Sequence, residues 1–112
     1  MVRHTLSQPM SLAVRHGLVH GGVSALVLDQ VLGEAAGAGG TPGMTGTLTI
    51  RYRRPTRLGP LHADAQVDRT DGWKTHVVGS ISDAEGVTDE AEAVFVVPTW
   101  AREAVGRMRA FG

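Results

Sequence analysis

The residue whose chemistry stands out is Asp29. It interrupts a segment, Val23–Ala36, whose other polar members are only Ser24, Gln30 and Glu34. A carboxylate set among Ala25, Leu26, Leu32 and Gly33 is costly unless it is paired or opens on a cleft. Held in a cleft, such a group serves as a general base or a nucleophile, because a dry setting tunes its proton affinity and removes competing water. The plainer reading is a carboxylate that points to solvent or bonds a partner chain. A second feature, His20-Gly21-Gly22, precedes the same segment. Unpaired amides at a helix N-terminus can polarise a carbonyl, and glycine lets a ligand approach the main chain. Its plainer reading is flexible glycines with a capping histidine, and His20 is a candidate for general base or for a hydrogen-bonding orienter. Gly21 and Asp29 are eight residues apart, about 12 Å along one helix, too far to act on one carbonyl. Two such helices packed antiparallel across a twofold axis bring the Gly21 amide of one chain to Asp29 of the other, so the spacing predicts a dimer with two equivalent sites.

The elements that must position these groups follow from periodicity. Val23–Ala36 has no proline, and Gly37-Ala38-Gly39-Gly40-Thr41-Pro42-Gly43 stops it, which predicts a helix of about 14 residues. Its apolar residues run nearly all round, so it should be covered on most faces. Beyond it the period becomes two: Thr47–Arg53, Leu61–Asp68, Ala91–Phe95 and, more weakly, Thr75–Ser82 alternate polar with apolar. Four strands are predicted, with turns at Pro55–Pro60, Thr70-Asp71-Gly72 and Asp83-Ala84-Glu85-Gly86. The two short Asp- and Gly-containing connections imply antiparallel neighbours. Met1–Val19 reads as an irregular arm with at most one short strand around Met10–Val14, and Thr99–Arg109 reads as a terminal helix. The fold class is α+β, an antiparallel sheet wrapped around one long central helix. One helix face and a sheet edge stay uncovered in so small a unit, which favours self-association.

With 112 residues the chain, 1–112, makes one domain. Eleven basic residues balance eleven acidic ones, so there is no global field to hold nucleic acid or an anionic membrane. The chain has no cysteine, which removes disulfides, thiolate metal sites and cysteine nucleophiles and suits a reducing compartment. The longest apolar run is Ala93–Val97, far short of the roughly 20 residues needed to span a bilayer, and no leader pattern is seen. A cytoplasmic location is expected. His4, His16, His20, His62 and His76 lack paired metal-ligand spacing, and neither a phosphate loop nor a serine elbow occurs. No metal and no cofactor are expected.

The sequence resembles the PaaI-type hotdog-fold acyl-CoA thioesterases. The resemblance rests on Val19–Asp29, with the acid nine residues after His20, on Met44–Pro55, and on Leu58-Gly59-Pro60-Leu61, and it extends loosely over His16–Pro98. It implies a hotdog fold whose chains join their sheets into one, with the thioester at the dimer interface. It further implies that Asp29 activates water or forms an anhydride, that the Gly21 amide polarises the thioester carbonyl, that Thr45 positions water or the carboxylate, and that His20 shapes the oxyanion end. Arg51, Arg53, Lys74, Thr75 and Gly22 match positions that contact the substrate or its coenzyme A. Guanidinium groups suit nucleotide phosphates, while a solvated strand face and turn is the plainer account of Arg51, Arg53, Arg54 and Arg57. Relatives carry more chain before the His-Gly-Gly and often an asparagine there. This chain has no asparagine, and His16 stands in that region. The implied activity is hydrolysis of acyl-CoA to a free acid and coenzyme A, in a homodimer or a homotetramer. The rival is a non-catalytic acyl-CoA-binding or regulatory hotdog domain, which would not need Asp29. A hotdog hydratase would need an Asp and His in another arrangement.

Overall fold

The computed structural model describes residues 2–6, 14–15, 18–19, 21–39, 43–56 and 60–111. One five-stranded antiparallel sheet contains β1 (Val2–Leu6), β4 (Met44–Tyr52), β5 (Leu61–Asp71), β6 (Lys74–Asp83) and β7 (Gly86–Val96), in the order β1-β5-β6-β7-β4. Two-residue strands β2 (Val14–Arg15) and β3 (Leu18–Val19) pair separately, ahead of helix α1 (Gly21–Gly39). A 3-10 turn, Thr99–Ala101, leads into α2 (Arg102–Phe111). The four strands expected after the helix all form, and the two short connections are hairpins joining β5 to β6 and β6 to β7.

At the N-terminal arm the structure adds a strand to the sequence expectation. Most of Met10–Val14 lies outside the described residues, while an ordered strand forms at Val2–Leu6, in register with β5 from Val2 opposite Ala65 to Leu6 opposite Leu61. A five-residue edge strand held on one side by backbone hydrogen bonds needs little side-chain periodicity, so its signal is weak. The helix is also longer than its apolar core, at 19 residues, because flanking glycines accept helical dihedrals once the central turns are anchored.

The core explains that anchoring. Leu28, Val31, Leu32, Ala35 and Ala36 of α1 are buried against Leu61, Ala63, Ala65, Val77, Ile81, Ala91, Ala93 and Phe95 of the sheet. The helix-facing side of the sheet is rich in alanine, so the helix can lie close to the backbone of the central strands. Gly79 takes this furthest: a Cβ there would stand 2.6 Å from the Asp64 carbonyl oxygen and 2.9 Å from a Leu32 methyl. Among the described residues the opposite stripe of α1 has no such cover. Leu26, 72 % exposed, is followed one turn on by exposed Gln30 and a further turn on by exposed Glu34.

The segment after β4 is stitched to the β6–β7 hairpin. The Arg53 and Arg54 amides both donate to the Thr88 carbonyl, at 2.9 and 3.3 Å. Arg54 pairs with Asp83 through both terminal guanidinium nitrogens, Nη1 and Nη2, and donates to the Gly86 carbonyl at 2.8 Å. Beneath it Asp89, 1 % exposed, accepts from Thr56 Oγ1 at 2.8 Å and lies 2.9 Å from Thr88 Oγ1. A buried carboxylate needs such donors to persist, and here they lock the chain's exit from β4.

Candidate active site

Asp29 lies midway along α1, half-buried, on the side of the helix that faces β4. Thr45 Oγ1 donates a hydrogen bond to its Oδ1 at 2.9 Å. A simple alternation would forbid this. Thr45, Thr47, Thr49 and Arg51 are spaced by two, and on a regular strand they would share one face. A bulge intervenes: Thr45 stands opposite Phe95, but Thr47 stands opposite Val94, so Gly46 is the inserted residue. Thr45 therefore shares the helix-facing side with buried Phe95, and Thr47, Thr49 and Arg51 take the outer side. Glycine suits the insertion, since a Cβ at Gly46 would meet Val96 Cγ2 at 3.0 Å and the Val94 carbonyl oxygen at 3.2 Å.

This geometry has direct chemical content. One carboxylate oxygen is held by the threonine hydroxyl, which fixes the orientation of the group. Among the described residues no hydrogen bond is made to the other oxygen, Oδ2. A carboxylate so oriented, half-buried on an otherwise apolar helix, can take a proton from water or attack a carbonyl.

The remaining residues singled out by sequence are dispersed. Gly21 is the first residue of α1, where amides have no intrahelical acceptor, and Gly22 beside it is exposed. His20 and His16 lie outside the described residues. Arg51 is on the outer face of the sheet, away from Asp29, in a groove of about 510 Å³ that it lines with Asp64, Glu90 and Glu92. Arg53 forms an ion pair with Glu90 at 2.7 Å. Lys74 is exposed at the start of β6, whereas Thr75 is 1 % exposed and sits in the same cross-strand row as Thr45 and Phe95. Asp29 and Thr45 are not part of the outer groove. Among the described residues, their surroundings are instead the edge strand β4 and the exposed stripe of α1. Among the described residues no group of three His, Asp or Glu side chains could hold a metal ion.

Sequence reading missed Leu26 and Tyr52 as surface features. Tyr52, 55 % exposed, ends β4. The signal for the bulge was present in Thr45-Gly46-Thr47, a glycine inside an alternating strand.

The antiparallel sheet with α1 laid across one face is the hotdog fold, and comparison with known proteins agrees. The model of the Thioesterase superfamily matches residues 16–89. A crystal structure of a thioesterase superfamily protein is 44% identical, with a TM-score of 0.79 over 84% of this chain and 47% of that one. This chain thus spans about half the length of that relative. A Bacillus halodurans protein solved with CoA is similar at 23% identity and TM-score 0.73, over 82% of this chain and 68% of that one. A phenylacetic acid degradation-related protein from Ralstonia eutropha is similar at 24% identity and TM-score 0.76, over 85% and 74% of the two chains. The chain belongs to the Thioesterase superfamily. None of its described helices is long and apolar enough to cross a membrane.

Proposed function

We propose that the protein hydrolyses acyl-CoA thioesters to a free acid and coenzyme A, with Asp29 as the group that activates water or attacks the carbonyl. The observation that carries this reading is the Thr45 to Asp29 hydrogen bond, created by a bulge whose consequence is to aim a hydroxyl at that carboxylate. A module that only bound acyl-CoA would need neither partner. Superfamily membership supports thioester chemistry, and CoA in similar structures supports the substrate class.

The site is completed by a second copy of the chain. Strand β4 is an edge strand with one neighbour, nine residues long and uncharged from Met44 to Ile50. Such an edge is a template for another strand. One turn before Asp29 on α1, Leu26 is exposed as well. Pairing β4 with its own copy about a twofold axis covers both, and directs the Gly21 amide of the partner toward the carbonyl over Asp29. In this reading His20 shapes the oxyanion end. Lys74 and Arg53 are the cations we assign to the nucleotide phosphates, Arg53 exchanging its Glu90 partner for phosphate. Gly22 is a second-rank contact on the same ligand; Arg51, on the outer face, and Thr75, 1 % exposed, are not assigned to it.

The test is release of free thiol from a panel of short aliphatic, long aliphatic and phenylacetyl-CoA substrates. Unsubstituted protein should turn over at least one, and Asp29→Ala should lose about 10²–10⁴-fold in kcat, the usual contribution of a positioned base, while retaining acyl-CoA affinity. Equal turnover by the two proteins would remove Asp29 from the mechanism. Tight binding with no turnover by either would favour the binding module.

A further inference from the structure

Tyr52 is the one large aromatic exposed on β4, and alternation from Ile50 puts it on the helix-facing side of the sheet with Leu48 and Thr45. Within a single chain it has no access to Asp29. The register of β4 on β7 separates Thr45 from Tyr52 by six strand steps, about 20 Å. Pairing of two β4 strands reverses this relation.

The position of the twofold axis follows from groups already described. α1 ends at Gly39 and β4 starts at Met44, so the chain reverses and β4 runs back along the helix toward Gly21. The bond between Asp29 and Thr45 ties the level of one element to the other. An axis midway between Gly21 and Asp29 lies about 6 Å from that level, which is about two strand steps. Two steps along β4 from Thr45, counted with the bulge, lead to Leu48. With the axis at Leu48, Thr47 faces the partner's Thr49 and Thr45 faces the partner's Ile50. The next residue on the same face is the partner's Tyr52. Diagonal neighbours on one face of an antiparallel pair lie about 7–8 Å apart, within reach of an aromatic ring.

We propose that Tyr52 of the partner subunit forms the aromatic wall of the acyl pocket over the Asp29–Thr45 pair and sets which acyl groups fit. The inference rests on the proposed thioesterase reading and on β4 pairing, and it names a residue of the pocket that neither one contains. A rigid ring next to the reacting carbonyl leaves room for an acyl chain only on its far side. Shortening it should enlarge the pocket and change the ranking of substrates.

Three variants test this. The outer-face double variant Thr47→Cys with Thr49→Cys, in a chain without cysteine, should give a covalent dimer on oxidation, because facing residues of antiparallel strands match disulfide geometry. Failure to cross-link overturns the register and the proposal with it. Tyr52→Ala should raise kcat/KM for a bulky acyl-CoA relative to acetyl-CoA by about tenfold, the scale on which apolar pockets discriminate, and Tyr52→Phe should keep the original ratio. Tyr52→Ala unfolded and refolded with a large excess of Asp29→Ala should return the ratio of the unsubstituted protein, since nearly every intact carboxylate then meets an intact Tyr52 of the partner subunit. An unchanged ratio in Tyr52→Ala, or a mixture that keeps the Tyr52→Ala ratio, overturns the proposal while the thioesterase reading stands. Absence of thiol release from the unsubstituted protein removes both, even where the cross-link forms.

Discussion

Thr45 and Asp29 meet across 16 residues of sequence because one glycine is inserted in β4: the Thr45 hydroxyl donates to Asp29 Oδ1 at 2.9 Å only after the bulge at Gly46 turns it toward the helix. The bond costs the carboxylate one acceptor site and gives it a fixed orientation. That trade is useful for chemistry and dispensable for folding, since Thr45 itself is exposed.

Thr45→Val should therefore fold normally and lose activity. The isostere keeps the shape and removes the donor, so kcat should fall about 10- to 100-fold, the effect typical of a lost orienting partner, with little change in acyl-CoA affinity. Thr45→Ser should recover most of the loss. Steady-state kinetics on the three proteins decide it, and a Thr45→Val variant with normal kcat would show that Asp29 needs no orienting hydroxyl.

The Arg54–Asp83 pair makes the β6–β7 hairpin sensitive to acid. The Arg54 guanidinium hydrogen bond, opposed by partial burial and aided by the Glu85 and Gly86 amides, holds the Asp83 carboxyl below its ordinary value of 3.8. The unfolded chain thus takes up a proton at a higher pH than the native one, so the pair's stabilisation is whole above about pH 4 and is lost as pH falls through the native value. Thermal melts from pH 7 to pH 3 should show the difference between unsubstituted protein and Asp83→Asn narrowing at the acid end. A gap that stays constant would remove this pair from the acid response.

Asp89 carries a different load. It is 1 % exposed and takes hydrogen bonds from Thr56 and Thr88. Asp89→Ala leaves the buried Thr56 hydroxyl short of its acceptor, at about 1–3 kcal/mol, while the Thr88 hydroxyl keeps the Ile81 carbonyl at 3.3 Å. Urea denaturation should place the loss at about 1–3 kcal/mol, whereas a loss below about 0.5 kcal/mol would mean that the Thr56 hydroxyl finds another acceptor.

Much of this arrangement was legible in the sequence, for identifiable reasons. Asp29 was conspicuous because the helix around it is otherwise apolar, and the strands from Thr47 onward announced themselves by alternation with hairpin residues between them. β1 was not legible, because an edge strand paired on one side is held by its backbone. Thr45 was singled out by resemblance alone: spacing by itself puts it with Thr47 and Arg51 on the outer face, and only the register with β7 reveals the inserted glycine. Arg51 shows the converse, since its place on the outer face follows from that same register.

A site shared between two chains is tested most directly by one complementation measurement. Gly21→Pro removes the amide hydrogen at a helix-start position where proline is tolerated, and Asp29→Ala removes the carboxylate. Each variant alone should form dimers by light scattering and release little thiol from acyl-CoA. Unfolded together and refolded, they should recover about one quarter of the unsubstituted rate, because half the dimers are mixed and each mixed dimer keeps one intact site. A mixture as inactive as its components, or an active monomer, would contradict the shared site.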